Sequence, residues 1–130
     1  MALESTLLFG NPAGIEGLTV EIGESKRSGR KRMQVPISIL IPLSEVTFLP
    51  DGGEYVAGLE LRVAVRDESG RRAEIPTVPV EVRLDAPPQP GAIGRYGTTL
   101  TLRRQDHDAV LGVFDPASGR ILSASIEISP

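Results

Sequence analysis

Apolar and polar residues alternate in several runs of this chain, and this two-residue period constrains the fold more than any other feature. In MQVPISILIPL, residues 33–43, every second residue from Val35 to Ile41 is branched and apolar. LELRVAVR (59–66) and TVPVEVRL (77–84) repeat the pattern. Because side chains alternate between the two faces of a strand, each run predicts a strand with one apolar face. One dry and one wetter face are typical of antiparallel sheets.

Further strands are predicted at residues 18–22, 98–104, 109–115 and 121–128, and residues 44–53 fit either a short strand or a turn. No run of ten residues shows the i, i+3, i+4, i+7 apolar stripe of a helix. About seven or eight strands therefore predict an all-β fold, an immunoglobulin-like or fibronectin type III-like antiparallel β-sandwich. Proline lacks a backbone N–H, so we expect the strand with Pro36 and Pro42 to lie at an edge or to pair on only one side near them.

Two stretches, VAVRDESGRR (63–72) and LGVFDPASGR (111–120), share a strand that ends at an aspartate and a following Ser-Gly-Arg. The carboxylates of Asp67 and Asp115 can accept backbone N–H groups inside a turn. Gly70 and Gly119 can adopt the positive φ that closes a tight hairpin. The repeat therefore predicts two β-hairpins that share the same kind of turn. Asp67, Gly70, Asp115 and Gly119 are assigned a structural role in these turns.

Composition excludes several classes of chemistry. The 130 residues contain no cysteine, which excludes disulfides, thiol nucleophiles and zinc–thiolate sites. Aromatic residues make up 4% and tryptophan is absent, so the core must be aliphatic. The net charge of −3 gives no general attraction to nucleic acid, and no apolar run approaches the roughly 18 residues of a membrane-spanning helix. We expect no cofactor, no metal, no nucleic acid and no membrane insertion.

Three long stretches carry a family resemblance: VPISILIPLSEVTFLPDGG, LELRVAVRDESGRRAEIPTVPVEV and TLTLRRQDHDAVLGVFDPASGRILSASIEISP. They resemble the C-terminal region of bacterial von Willebrand factor A-related proteins, over about residues 18–130. The resemblance implies one accessory β-sandwich domain of a longer, exported protein, periplasmic or secreted. Residues 1–17 would form an N-terminal extension or docking segment, with Leu7, Leu8 and Phe9 as candidate contacts. No signal peptide is predicted within the segment itself.

The resemblance does not extend to the metal site of A-type domains. Their metal-binding signature, Asp-x-Ser-x-Ser, is absent from this sequence. The nearest strings, DESG and DPASG, have glycine where the second hydroxyl would stand. Metal-dependent adhesion chemistry is therefore not carried over to this chain.

The densest charge lies in KRSGRKR, which we expect to form a hairpin loop between two strands. Its cations are Lys26, Arg27, Arg30, Lys31 and Arg32. They are candidate partner-binding residues for an acidic protein surface. The alternative is a solvated hairpin tip whose charges prevent edge-to-edge association of sheets. No aromatic residues are interleaved, which argues against a nucleic-acid site.

RQDHDAV, residues 104–110, contains the sole histidine and is expected to be a hairpin connection. On a strand, Asp106 and Asp108 share one face and His107 points to the other, so the three do not converge. One imidazole without thiolates is a poor transition-metal site, and no nucleophile signature accompanies it. No catalytic or metal residue is therefore predicted, although a small hydrolase stays as the least favoured alternative.

A ligand-binding module for carbohydrate is the other alternative, with Tyr55 and Tyr96 as the aromatic candidates. The low aromatic content weighs against it. The stretch DAPPQPGAIGRYG, residues 85–97, predicts a long crossover loop between sheets, where binding residues would be placed. The favoured function is a non-enzymatic structural or interaction domain. Its expected partners are neighbouring domains of the same polypeptide or another protein, with self-association through strand edges as a further route.

Overall fold

The computed structural model describes residues 15–130, which form two mainly antiparallel sheets packed face to face. The strands are β1 Ile15–Glu16, β2 Thr19–Ile22, β3 Lys26–Arg27, β4 Arg32–Pro42, β5 Leu49–Asp51, β6 Glu54–Asp67, β7 Arg72–Leu84, β8 Ile93–Arg103, β9 His107–Asp115 and β10 Arg120–Ile128. The one helical element of this part of the chain is a 3-10 turn, Leu43–Glu45. The predicted antiparallel β-sandwich is confirmed. None of the described residues belongs to a helix with the length and apolarity to cross a membrane.

The larger sheet runs in the order β7–β6–β9–β10–β1, and the short β5 pairs with the start of β6. In the smaller sheet β4 is central, with β8 on one side and β2 followed by β3 on the other. β1 is parallel to β10, and the other pairs are antiparallel. The chain passes between sheets after β1, β4, β7 and β8, which is the connectivity expected of a Greek-key sandwich.

The core lies between the inner faces of β4 and β6. From β4 it takes Val35, Ile37, Ile39 and Ile41, all at most 2% exposed, and from β6 it takes Leu59, Leu61, Val63 and Val65, all at most 5% exposed. These are the apolar faces that the two-residue period predicts. In β7 the predicted face, from Val78 to Leu84, is buried or half-buried while the alternate residues are exposed.

β4 is a central strand although it contains Pro36 and Pro42. β8 pairs along its whole length, whereas β2 reaches only residues 37–40 and β3 only residues 33–34. Both prolines therefore have a strand partner on the β8 side alone. Gly23 N donates to the carbonyl of Pro36 at 2.8 Å, so this carbonyl faces the side of β4 on which β2 and β3 leave a gap. The prediction of one-sided pairing is confirmed, and its alternative, an edge position, is wrong.

Two connections differ from the sequence predictions. Residues 104–106 are not a hairpin, because β8 and β9 belong to different sheets and the chain crosses between them there. The crossover after β7 covers residues 85–92 rather than 85–97, because β8 already begins at Ile93 and pairs with residues 38–42 of β4. Residues 44–53 contain the end of the 3-10 turn, β5 and a tight turn at Gly52 and Gly53, both with positive φ.

Of the predicted N-terminal segment 1–17, only its end lies within the described residues. Ile15 and Glu16 pair with Leu122 and Ser123 of β10. Leu7, Leu8 and Phe9 lie outside the described residues.

Candidate partner-binding site

The β6–β7 turn is organised by Asp67. Oδ1 of its carboxylate accepts hydrogen bonds from the Ser69 hydroxyl at 2.6 Å and from the backbone N–H groups of Ser69 and Arg71, each at 3.0 Å. Gly70 has a φ of +87°, which a side chain would disfavour. The Ser69 hydroxyl lowers the pKa of the Asp67 carboxyl, and the two backbone donors lower it further against the opposing effect of burial. All of these contacts are local.

The β9–β10 turn uses Asp115 in a different way. Its carboxylate accepts Ala117 N at 3.1 Å and the Ser118 hydroxyl at 3.0 Å, both within the turn. Oδ2 also accepts Thr47 N at 2.8 Å, from the segment between β4 and β5. Asp115 is 1% exposed, the most buried acid of the described chain. The repeated sequence motif predicts the local bonds but carries no signal for Thr47.

The predicted basic loop is a hairpin in which strand pairing extends further than expected. Lys26 and Arg27 form β3 and pair with Gln34 and Met33 of β4. The tip covers residues 28–31, where Gly29 has a φ of +80°. Ser28 N donates to the Arg32 carbonyl at 2.9 Å and closes the hairpin. The five cations are exposed on this hairpin.

The fold adds two arginines that sequence reasoning did not assign to this site. Arg103, at the end of β8, lies directly opposite Arg32 in the β4–β8 pairing. Arg104 N donates to the Lys31 carbonyl at 2.9 Å, which fixes the two segments side by side. The β3–β4 hairpin and the end of β8 together form a cleft with a volume of about 580 Å³, here called the basic cleft. Its lining is Arg30, Lys31, Arg32, Arg103, Arg104 and Gln105.

The cations of the basic cleft differ from four arginines elsewhere in the described chain, Arg66, Arg83, Arg95 and Arg120, each of which is ion-paired. Arg66 pairs with Asp108 at 3.0 Å, Arg95 with Glu21 at 2.7 Å and Arg120 with Glu45 at 3.3 Å. Within residues 15–130, the side chains of the basic cleft form no such ion pair. With the adjacent Lys26 and Arg27, this hairpin region collects seven of the 14 lysines and arginines of the sequence.

Arg83, on β7, is the centre of an ion-pair network with three acids. Arg83 contacts Glu81 and also lies 3.1 Å from Glu54 and 3.5 Å from Asp51. The hydrogen bond to Glu81, followed by the charge of Glu81, raises the pKa of the Arg83 guanidinium. Arg83 thus has three acids as ion-pair partners, whereas the cations of the basic cleft have none within the described chain.

His107 begins β9 and is buried, with 6% of its surface exposed. Its Nδ1 donates to the backbone carbonyl of Gln105 at 3.0 Å. Asp108 pairs with Arg66, and the backbone N–H of Asp106 donates to Glu68 at 2.8 Å. Among the residues described, no group of three or more His, Asp or Glu is placed to hold a metal ion. Among the hydrogen bonds of the described residues, none joins His107 to a carboxylate.

His107 is one of the residues that line a pocket of about 240 Å³. It is here called the acidic pocket because it is lined by Asp67, Glu68, Asp106, Asp108 and Glu127 in addition to Arg66, His107, Ile128 and Ser129. It adjoins the basic cleft along the chain, since Gln105 lines one and Asp106 lines the other. Opposite charges thus lie side by side at this end of the sandwich.

The two tyrosines considered for ligand binding lie in different sheets. Tyr55 is half-buried in β6, opposite Leu84 of β7. Tyr96 in β8 is half-buried and packs against the hydrophobic core. They do not form a shared aromatic platform.

No protein-family model and no curated protein matches this sequence. Solved structures with a similar fold include a β-glucuronidase from glycoside hydrolase family 2, with a TM-score of 0.53 and 10% identity, over 87% of this chain and 11% of that one. A glycosyl hydrolase family 2 member from Bacteroides cellulosilyticus has a TM-score of 0.52 and 10% identity, over 87% of this chain and 13% of that one. Bacteroides uniformis β-glucuronidase 2, covalently bound to cyclophellitol-6-carboxylate aziridine, has a TM-score of 0.50 and 10% identity, over 88% of this chain and 13% of that one. This chain thus spans about an eighth of those proteins, and the likeness shows the β-sandwich fold alone.

Proposed function

We propose that this chain is a non-catalytic structural and interaction domain of a larger, exported bacterial von Willebrand factor A-related protein, which acts through contacts with neighbouring domains or with another protein. The sequence resemblance over residues 18–130 supports the family and the exported location. The observation that carries the interaction role is the basic cleft. Its cations are exposed and form no ion pair within the described chain.

A rigid sandwich suits such a role because its surfaces are already ordered before a partner arrives. The basic cleft rests on paired strands, with Arg32 opposite Arg103 and the Lys31 carbonyl bonded to Arg104 N. Binding to a surface that is already ordered costs less conformational entropy than folding a loop on contact. The mechanism is therefore complementarity of charge and shape, without a chemical step.

The proposal is tested on the complete product of the reading frame that contains this segment. An encoded A-type domain upstream is the expected result. Hydrogen–deuterium exchange is then compared between the complete polypeptide and the chain of residues 1–130. We expect exchange of the sandwich to slow over one contiguous surface in the complete polypeptide. A reading frame without such a domain, together with identical exchange in both samples and no binding protein, would contradict the proposal.

Two assays address the alternatives directly. A panel of ester and glycoside substrates tests hydrolysis, with His107→Gln as the variant and thermal unfolding as the control for folding. Turnover that is lost in this variant would replace the proposal by a hydrolase. Saturable glycan binding that Tyr55→Ala abolishes would replace it by a carbohydrate-binding module. We expect neither.

A further inference from the structure

We infer that the basic cleft binds an Asp/Glu-rich segment of a partner protein. This inference rests on the proposed function and specifies the chemistry of the partner. The five cations of the cleft come from two places in the sequence, the β3–β4 hairpin and the end of β8. The β-sheet register brings them together.

The backbone holds like charges close together in the basic cleft. Arg32 and Arg103 are direct cross-strand partners, and like charges in that relation repel each other. The bond from Arg104 N to the Lys31 carbonyl prevents the two segments from separating to relieve the repulsion. No acid of residues 15–130 forms an ion pair with these cations. An anionic partner would therefore gain from a field that is already in place.

The side chains of the cleft favour carboxylates. Four of its five cations are arginines, and a guanidinium donates two parallel hydrogen bonds to a carboxylate in a fixed geometry. Gln105 is half-buried at the edge and offers an amide with donors and an acceptor. A volume of about 580 Å³ accommodates several side chains of an extended peptide.

The surroundings favour a protein over a nucleic acid. The cleft lining contains no aromatic ring on which a base could stack. The acidic pocket begins at Asp106, directly beyond Gln105, and its carboxylates would repel a phosphate backbone that continued in that direction. A protein surface can place acids against the cleft and bases against the acidic pocket. The adjacent opposite charges at this end fit such a mixed surface.

The experiment measures binding of a fluorescent Glu-rich peptide of about ten residues to the whole chain by anisotropy, at about 50 mM and about 300 mM salt. Arg103→Gln is compared with Arg95→Gln, which lies on the same face of β8 and loses the same charge. Arg95 is ion-paired with Glu21 outside the cleft, so it is a matched control. A peptide of equal length with Gln in place of Glu and a single-stranded DNA of equal charge are the ligand controls.

We expect saturable binding of the Glu-rich peptide that weakens at the higher salt. Arg103→Gln should weaken it about tenfold, the loss of one charge-assisted contact, and Arg32→Gln/Arg103→Gln about a hundredfold. Arg95→Gln should change it less than about twofold. Thermal unfolding of each variant checks that the sandwich is intact.

Four results would overturn the inference. The first is equal loss in Arg103→Gln and Arg95→Gln, which would show a diffuse charge effect. The second is tighter binding of the DNA than of the peptide. The third is self-association that Arg103→Gln abolishes, which would make the acidic pocket of a second copy the occupant. Absence of peptide binding, with slowed exchange elsewhere in the complete polypeptide, would also overturn the inference while the proposed function stands.

Discussion

The carboxylate of Asp115 accepts a hydrogen bond from the backbone N–H of Thr47 at 2.8 Å, although the two residues are 68 positions apart in sequence. This bond ties the β9–β10 turn to the segment that carries the chain from the smaller sheet to the larger one. Arg120 strengthens the same connection, because its guanidinium lies 3.3 Å from both the carbonyl and the carboxylate of Glu45. Asp115 is therefore a link between two loops as well as a turn residue.

Replacement of this carboxylate should be strongly destabilising. Asp115→Ala leaves Thr47 N, Ala117 N and the Ser118 hydroxyl without their acceptor at a site that is 1% exposed. We expect the free energy of unfolding to fall by about 2–4 kcal/mol, as for other losses of a buried charged acceptor. Urea unfolding followed by circular dichroism measures the change.

Ser118→Ala is the control for this prediction, because it removes one donor to the carboxylate, and the acceptor of Arg120 N, but keeps the bond to Thr47. Its expected cost is about 1 kcal/mol. Amide exchange at Thr47 should accelerate in Asp115→Ala and remain slow in Ser118→Ala. Equal exchange at Thr47 in both variants would show that the long-range bond is not formed.

The hydrogen bonds of the Asp67 carboxylate make the stability of the fold depend on pH, in a direction that can be predicted. The Ser69 hydroxyl and the turn amides lower the pKa of Asp67 below its ordinary 3.8. A depressed pKa in the folded state stabilises the fold above 3.8, and that stability is lost as the pH falls through the native value. Carbon-13 titration of the carboxyl should show a midpoint below 3.8. Ser69→Ala should move the midpoint upward, whereas Ser118→Ala in the other turn should leave it unchanged.

The sequence predicts what is local in this fold and misses what the sheet register creates. Alternation assigns the inner faces of β4 and β6 because each strand carries its own two-residue period. The approach of Arg103 to Arg32 depends on which strands pair and in what register, and neither arginine carries that information alone. The start of β8 is missed because glycines in GAIGRYG look like a loop. In the structure Gly94 lies within the strand, and a Cβ there would stand 3.1 Å from Leu43 Cδ2, a tight contact that the leucine side chain would have to relieve.

Removal of charge from the basic cleft should stabilise the isolated chain. Arg32→Gln/Arg103→Gln relieves repulsion between directly opposed cations, and we expect the free energy of unfolding to rise by about 0.5 kcal/mol. The gain should shrink at high salt because exposed charges are screened. Arg95→Gln, which breaks the pair with Glu21, should give no gain. A loss of stability in the double variant would mean that Arg32 and Arg103 contribute to the fold itself.

The close approach of Gly23 to Pro36 predicts that an alanine substitution lowers the free energy of unfolding much more at Gly23 than at Gly58. A Cβ at position 23 would lie 2.8 Å from Pro36 Cγ and 3.4 Å from its carbonyl oxygen, at the point where β2 ends. Gly23→Ala should therefore destabilise the protein by about 1–3 kcal/mol through overpacking. Gly58→Ala is the matched control, because nothing lies within 4 Å of its Cβ position and its φ is not in the left-handed region.

Pro36→Ala should rescue Gly23→Ala in part, because the alanine has no ring to clash. Chemical unfolding of the two single variants and the double variant measures this coupling, and strictly additive effects would show that the clash is relieved by another movement.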